Sequence, residues 1–506
     1  YEHSIMTALN FIYFKLLLLL HGWIIGPTHA FVSPALSPSQ WSLPTLSSAS
    51  LSDDTTEKYE VGVCIIGAGI SGLAAATTIA KNDPNLKICI LEAKDKPGGR
   101  VASDVTSDGF VLDRGFAVFI ESYPQSREIF DYESLKLRQF DPGSLIKLPN
   151  KIARVADPLR QPRRTMDAIT SPVGEWLDKL RLVPLLINVK RKSIEDLFEE
   201  DEVNTLECLR KRYKFSDKMI NEFFKPFLEG IYLAPLDQQS SRMFHFVFKM
   251  FSDGAVSLPT MGMQAVPDQL AAKAKGLGVE LKMNHAVDCL SKSGDSFLVS
   301  SSSSDTVVSC KKVIVATTPL VAKKLLSDLL PLAGVEDQPE RSVGCIYYSF
   351  KGEAPVNEPI LILNGEGKGP INNVSFPSVI NNSYAPEGYS LCSVSLFETT
   401  MEKYRGREDE LDKDVRTQLA NWFGECSDNI MCHWERKGEI YEVNGAQPTQ
   451  LGGPFPASVH HGRDCKKYMG IELPKGCYLC GDYMSTATLN GAIESGMNAA
   501  TAALKE

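Results

Sequence analysis

An α/β architecture is predicted for this chain: a Rossmann-like domain with a second, α+β domain interleaved into it. Three observations predict it. A short apolar run, Val61–Ile66, feeds a glycine-rich turn and then a helical pattern. A second strand–turn–helix succession stands at the far end, from Tyr478 to Ala500. The chain of 506 residues also exceeds what a single hydrophobic core holds, so more than one domain is expected.

The first strand runs into Gly67-Ala68-Gly69-Ile70-Ser71-Gly72, and Leu73–Ala80 continues as a helix. Gly67 makes the tight turn, Gly69 lets backbone approach a pyrophosphate, and Gly72 lets the helix pack closely on the strand. Phosphate charge then sits on free N–H groups at the helix N-terminus. A second apolar run, Ile88–Leu91, leads directly into Glu92, 20 residues past Gly72. A carboxylate at that distance can hold a ribose hydroxyl pair. Strand, glycines, helix and acidic residue in this order define a dinucleotide site.

The dinucleotide is indicated downstream. Gly98-Gly99-Arg100 follows the ribose-binding strand, and Gly109-Phe-Val-Leu-Asp-Arg-Gly115 comes soon after. Nicotinamide enzymes have no general need for this glycine pair, whereas a loop passing close to a flavin's phosphates and ribityl chain does need it. At the C-terminal end a strand closes at Cys480, Gly481-Asp482 turns, and a helix starts near Gly491. Together these motifs resemble the flavin-containing amine oxidase and phytoene desaturase superfamily, over roughly Tyr59 to Glu506. The resemblance implies FAD as cofactor, bound by Gly67, Ala68, Gly69, Ser71, Gly72, Glu92, Gly99, Arg100, Gly481 and Asp482. It adds Val287, on the segment that places a backbone pair on the adenine in relatives. The covalent-flavin cysteine motif of monoamine oxidases is absent, which implies that FAD is held non-covalently.

The same resemblance organises the rest of the chain. Residues 59–150, 259–325 and 466–506 are expected to build the FAD-binding domain. Between them lie a mainly helical substrate region, 151–258, and the sheet part of the substrate domain, 326–465. Leu148–Pro162, with its prolines and arginines, reads as a crossover loop. Val173–Met250 is helical by period. Within it, Asn221–Tyr232 has an apolar face beside a proline kink, and Met243–Phe251 is a dense aromatic helix. Such a stripe reads either as core or as the wall of an elongated apolar tunnel, and His245 within it reads as a core histidine. Ser300–Ser304 reads as a hairpin tip, and the alternation in Ser342–Phe350 and Tyr389–Phe397 as strands.

The first 58 residues are expected to lie outside the fold. Phe11–Leu20 is an apolar run broken only by Lys15, too short for a comfortable membrane span and suited to a signal-peptide core. Thr28-His-Ala30 supplies small residues for cleavage, so residues 1–30 read as a signal peptide. Residues 31–58 open with Phe31 and, up to Ser52, are rich in Ser, Pro and Leu without an acidic residue, as in a transit segment. This arrangement resembles the bipartite presequence of complex plastids in algae such as diatoms. A secretory signal with a flexible stem is the alternative, which the unpaired cysteine pattern disfavours.

Composition narrows the function. A net charge of −9, with no basic run interleaved with aromatics, argues against a nucleic-acid partner. The 12 cysteines show no disulfide rhythm. Cys477-x-x-Cys480 has no second pair to complete a zinc site, so it reads as part of a strand and no metal is expected.

With one nucleotide loop in the chain, direct NADPH use is disfavoured, and a quinone or oxygen is left as electron acceptor. Amine oxidases of the superfamily often place an aromatic residue just before the C-terminal Gly-Ala pair, yet Thr486–Ala492 contains none. Gly481-Asp482-Tyr483 resembles the desaturase branch, whereas Gly98-Gly99-Arg100 resembles the amine-oxidase variant. The expected function is FAD-dependent desaturation, isomerisation or related chemistry on an apolar plastid isoprenoid or carotenoid. Peripheral membrane association would suit such a substrate. The alternatives are an oxidase of a small amine or amino acid, a protoporphyrinogen-type oxidase, and a flavin-binding protein without turnover. No catalytic side chain is assigned; His245 and Lys249 would be notable if they faced the flavin.

Overall fold

The computed structural model describes residues 58–115, 118–157, 160–301, 304–337, 340–424, 427–449 and 463–506. The signal-peptide and transit readings therefore fall outside the described residues, as does part of the Ser300–Ser304 tip.

Strand β1 (Lys58–Ile66) is buried along its second half, as a strand covered on both faces must be. Helix α1 (Ile70–Asn82) follows, then β2 (Ile88–Leu91), which pairs with β1 in parallel. The first sheet runs Glu280–Lys282, β2, β1, Ser304–Val315, Ser296–Ser301, Cys289–Ser293. The C-terminal strand Cys477–Leu479 adds in parallel to Ser304–Val315. The strands flanking the hairpin pair there, Ser301 opposite Ser304.

Three chain crossings meet at one end of this sheet. Ile66 lies opposite Val315, Val315 lies opposite Leu479, and the chain leaves these strands through Gly67, Ala316 and Cys480. Ligands of open α/β sheets bind in the crevice at such strand ends. Gly67 there has φ +106°, and a Cβ on it would lie 2.7 Å from the Ala316 carbonyl oxygen. Behind the crevice, α1 crosses the C-terminal helix Leu489–Lys505. The crossing needs small residues: a Cβ on Gly496 would come within 2.2 Å of the Ser71 carbonyl oxygen.

The second sheet has the order Glu435–Pro448, Glu340–Lys351, Tyr389–Phe397, Ile371–Ser375, Leu361–Asn364, Gly143–Leu148, Lys151–Ala156. Residues 143–156 thus form an antiparallel hairpin of this sheet, where the sequence suggested the end of the nucleotide domain and a crossover loop. The prolines and arginines that suggested a loop lie largely past Ala156, at Pro158, Arg160 and Pro162. Against the sheet lie Trp176–Arg191, Lys225–Tyr232 and Ser241–Asp253. Lys225–Tyr232 is preceded by a widened π-type turn, Ile220–Phe224. Pro226 accounts for it, since its ring removes an N–H and crowds the preceding turn.

Asp113 ties the two halves together. Its buried carboxylate accepts hydrogen bonds from Met263 N (2.9 Å), Ser103 Oγ and the Tyr384 hydroxyl (2.8 Å). Among the described residues, no helix is long and apolar enough to cross a membrane.

Candidate functional site

The glycine turn is fixed from below by its own backbone. A Cβ on Gly72 would sit 2.1 Å from the Gly67 carbonyl oxygen, so only glycine lets the turn close onto α1. Gly69 differs: its φ is −69°, and a Cβ there would meet no protein atom within 4 Å, because it faces the cavity. Gly98 N–H donates to the Ala68 carbonyl (2.9 Å), which seats the second glycine loop beside the first. The Glu92 carboxylate is buried and accepts from Ala68 N (2.7 Å) and Lys94 N (3.0 Å). These two bonds aim it into the crevice and leave further lone pairs for ligand hydroxyls.

The C-terminal motif closes the opposite side. Gly481 N–H donates to Ser495 Oγ (3.0 Å), and Tyr483 N–H donates to Asp482 Oδ1 (3.0 Å). Thr488 caps Leu489–Lys505 by accepting from Gly491 N (3.1 Å). The N-terminal turns of α1 and Leu489–Lys505 both reach the cavity, through Ile70 and Ser71 and through Leu489 and Ala492. Together they suit a bound pyrophosphate and the electron-rich edge of a flavin.

A single cavity of about 960 Å³ joins these parts. Gly67, Gly69, Ser71, Glu92, Gly99, Arg100, Val287, Gly481 and Asp482 line it, while Ala68 and Gly72 lie behind and shape the turn. Arg100 does more than face a ligand. Its guanidinium pairs with Asp482 (2.6 Å) and donates to the Ala446 carbonyl (3.1 Å), linking both sheets across the cleft. The residues present fit FAD. Gly69 leaves a cradle that a side chain would fill, a carboxylate stands at the ribose position, and two helix N-termini converge.

The cavity continues into an arm with aromatic and aliphatic walls. Leu182 and Leu186 come from Trp176–Arg191, Phe223 and Phe227 from the kinked helix, and Phe248 and Phe251 from Ser241–Asp253. Phe227 packs against Phe223 (5.5 Å, stacked) and Phe251 (5.4 Å). The aromatic helix thus serves both readings: Phe244 and Phe246 are core, while Phe248 and Phe251 are wall.

His245 is a core residue. Its Nε2 lies 2.9 Å from the Tyr213 hydroxyl and its Nδ1 lies 3.0 Å from Glu200. Lys249 donates to the Val189 carbonyl (3.0 Å) and pairs with Asp253 (3.1 Å). Neither residue lines the cavity. Cys477 and Cys480 are buried in and beside the last strand, where burial pushes both thiols up to about 12. Tyr123, which carries no sequence signal, lines the cavity beside the capping Thr488.

This fold and this cleft are those of a FAD-binding flavoprotein. The chain belongs to the family of flavin containing amine oxidoreductases, whose family model matches residues 70–504. It is 30% identical to lysine-specific histone demethylase 2 of Homo sapiens over 268 residues, 52% of this chain and 30% of that protein. It is 32% identical to a chloroplastic/chromoplastic 15-cis-phytoene desaturase of an Oncidium hybrid cultivar over 106 residues, 21% of this chain and 18% of that one. The chain thus spans less than a third of these curated relatives. A crystal structure assigned as a protoporphyrinogen oxidase, from Exiguobacterium sp. 255-15, shares the fold with TM-score 0.65 and 17% identity. That match covers 89% of this chain and 100% of the other.

Proposed function

We propose that this oxidoreductase acts on an apolar isoprenoid of the carotenoid type, by desaturation, isomerisation or related flavin chemistry. The observation that carries the reading is the continuity of the aromatic arm with the FAD cleft. An isoprenoid offers no charge to grip, so its binding rests on buried area at about 25 cal/mol per Å². Phe223, Phe227, Phe248 and Phe251 supply that surface, and the charged Arg160 and Asp157 that line the same cavity pair with each other (3.0 Å). The partial likeness to a phytoene desaturase supports the same class.

Bound FAD, held non-covalently, supplies hydride or electron acceptance. The chain's own residues do the rest. Gly69 and Gly99 would admit the cofactor, Glu92 would hold its ribose, and the Arg100–Asp482 pair would fix the cleft wall beside it. The aromatic walls orient the substrate and exclude water. A quinone or oxygen would serve as the electron acceptor. The proposal includes delivery to a plastid, supported by the composition of residues 1–58. A fluorescent fusion of that segment should enter the stroma; its secretion would remove this part of the reading.

The test of the substrate class is an anaerobic titration of the flavin-loaded protein, read by flavin absorbance. Phytoene in detergent should perturb or bleach the flavin saturably, and putrescine should leave it unchanged. Bleaching by putrescine or by protoporphyrinogen, with no response to phytoene, would overturn the proposal.

A further inference from the structure

The apolar arm contains a polar wall that a pure hydrocarbon would not need. Strand Ile371–Ser375 pairs with Tyr389–Phe397, and the register slips between Ile371 and Asn373. In a regular strand, Asn372 and Asn373 would point to opposite faces. The bulge brings both amides to the same glycine: a Cβ on Gly230 would lie 2.5 Å from Asn372 Nδ2 and 3.2 Å from Asn373 Nδ2. Bulges of this kind re-aim side chains and are common beside binding sites.

Gly230 lies inside the helix Lys225–Tyr232, where glycine is a poor helix former. Its lack of a side chain is what leaves room for the two amides. Both asparagines are only 2% exposed, and the Oδ1 of each is buried without a hydrogen-bond partner. Buried amide oxygens are nearly always paired, because leaving one unpaired is costly. Asn373 and Gly230 line the cavity together with Phe227 and Ile231, and Asn372 stands behind them against the same glycine.

We propose that Asn373, backed by Asn372, forms a polar subsite that takes a neutral oxygen function of the substrate, a hydroxyl or a carbonyl. The arm then prefers an isoprenoid bearing an oxygen function over the corresponding hydrocarbon, which it still admits. This inference rests on the apolar-substrate reading above and specifies its class. The oxygen is neutral because an amide presents one donor end and one acceptor end and carries no charge. A carboxylate or ammonium group here would lose its hydration without gaining a counter-charge from this wall.

The test compares farnesol with β-farnesene, chains of equal carbon number with and without the hydroxyl. Dissociation constants are read on the flavin-loaded protein from the change in flavin absorbance. The wild-type protein should prefer farnesol, and Asn373→Leu should cut the farnesol-to-farnesene affinity ratio roughly tenfold, the equivalent of about 1.4 kcal/mol. Gly230→Ala, which pushes a methyl group against the amides in a better helix former, should lower the ratio in the same direction. It keeps the test valid if the leucine variant fails to fold.

Three results would overturn the subsite. One is equal binding of both probes to the wild type. Another is an unchanged ratio in both variants. The third is a fall in thermal midpoint with the preference intact, which would make the amides merely structural. If neither isoprenoid binds while putrescine bleaches the flavin, the substrate reading itself fails and the subsite falls with it. If farnesene binds as well as farnesol, only the subsite falls.

Discussion

Replacing Gly69 by alanine separates what the glycine does for the fold from what it does for the cofactor. The backbone at Gly69 has φ −69° and ψ 175°, which alanine adopts without strain. A methyl group there meets no protein atom within 4 Å, so the fold has no objection to it. The methyl instead occupies the surface along which the pyrophosphate is expected to run. Inserting one methyl into a close-packed contact costs about 1–3 kcal/mol, a loss of roughly five- to 150-fold in affinity. Gly72→Ala is the contrasting control. Its Cβ would fall 2.1 Å from a backbone oxygen, so it should destabilise the protein with or without FAD. The assay is a pair of measurements on protein stripped of flavin: thermal unfolding, then FAD titration by fluorescence quenching. Gly69→Ala should unfold at the wild-type temperature yet bind FAD weakly. Unaltered FAD affinity in this variant would refute the assignment of the turn to the pyrophosphate.

Two other predictions follow from the buried charges. Glu92→Gln keeps an acceptor for one of the two backbone N–H groups but turns an amide toward the other, and it loses the charge-assisted bond to ribose. FAD affinity should fall about tenfold or more, since bonds to charged groups contribute about 1.5–3 kcal/mol; equilibrium dialysis checks this. Burial holds His245 below the ordinary imidazole value, so the unfolded chain binds its proton first. Stability from this residue is complete above about pH 6.5 and declines as pH falls below it. Burial would raise the Glu200 carboxyl, but His245, Arg212 and Lys192 together hold it well below the ordinary carboxylate value. That contribution persists to lower pH and is lost only below about pH 4.3. Urea midpoints between pH 8 and 5 should therefore fall for wild type and stay flatter for His245→Gln, with FAD affinity equal in the two proteins at pH 8.

The nucleotide crevice was legible because its signals are local. An apolar run, three glycines and an acidic residue sit within one βαβ unit, where chain spacing and spatial spacing agree. Gly481 and Asp482 were legible for the same reason, as a strand end followed by a helix start. Arg100 was only half legible: its contact with Asp482 joins residues at opposite ends of the chain, and its bonds to the carbonyls of Gly445 and Ala446 depend on how the second sheet docks. Residues 148–156 read as part of a crossover loop because the nearby prolines and arginines dominate the window, and the pairing that makes 143–156 two strands is with each other and with Leu361–Asn364. Asn372, Asn373 and Gly230 gave no signal at all. A bulge that aims two asparagines at one helical glycine is a property of tertiary packing. The aromatic helix announced its apolarity, but only the structure divides Phe244 and Phe246 in the core from Phe248 and Phe251 on the cavity.

Photo-crosslinking tests the central claim most directly, that substrate occupies the aromatic arm next to FAD. A farnesol analogue bearing a benzophenone would be irradiated with the flavin-loaded protein, and the labelled peptides read by mass spectrometry. The account predicts labelling within residues 220–232 and 244–252, suppressed by excess farnesol, untouched by putrescine, and diminished by Phe227→Asp. Labelling confined to exposed positions such as Trp176 and Met166, or label displaced by putrescine but not by farnesol, would contradict it.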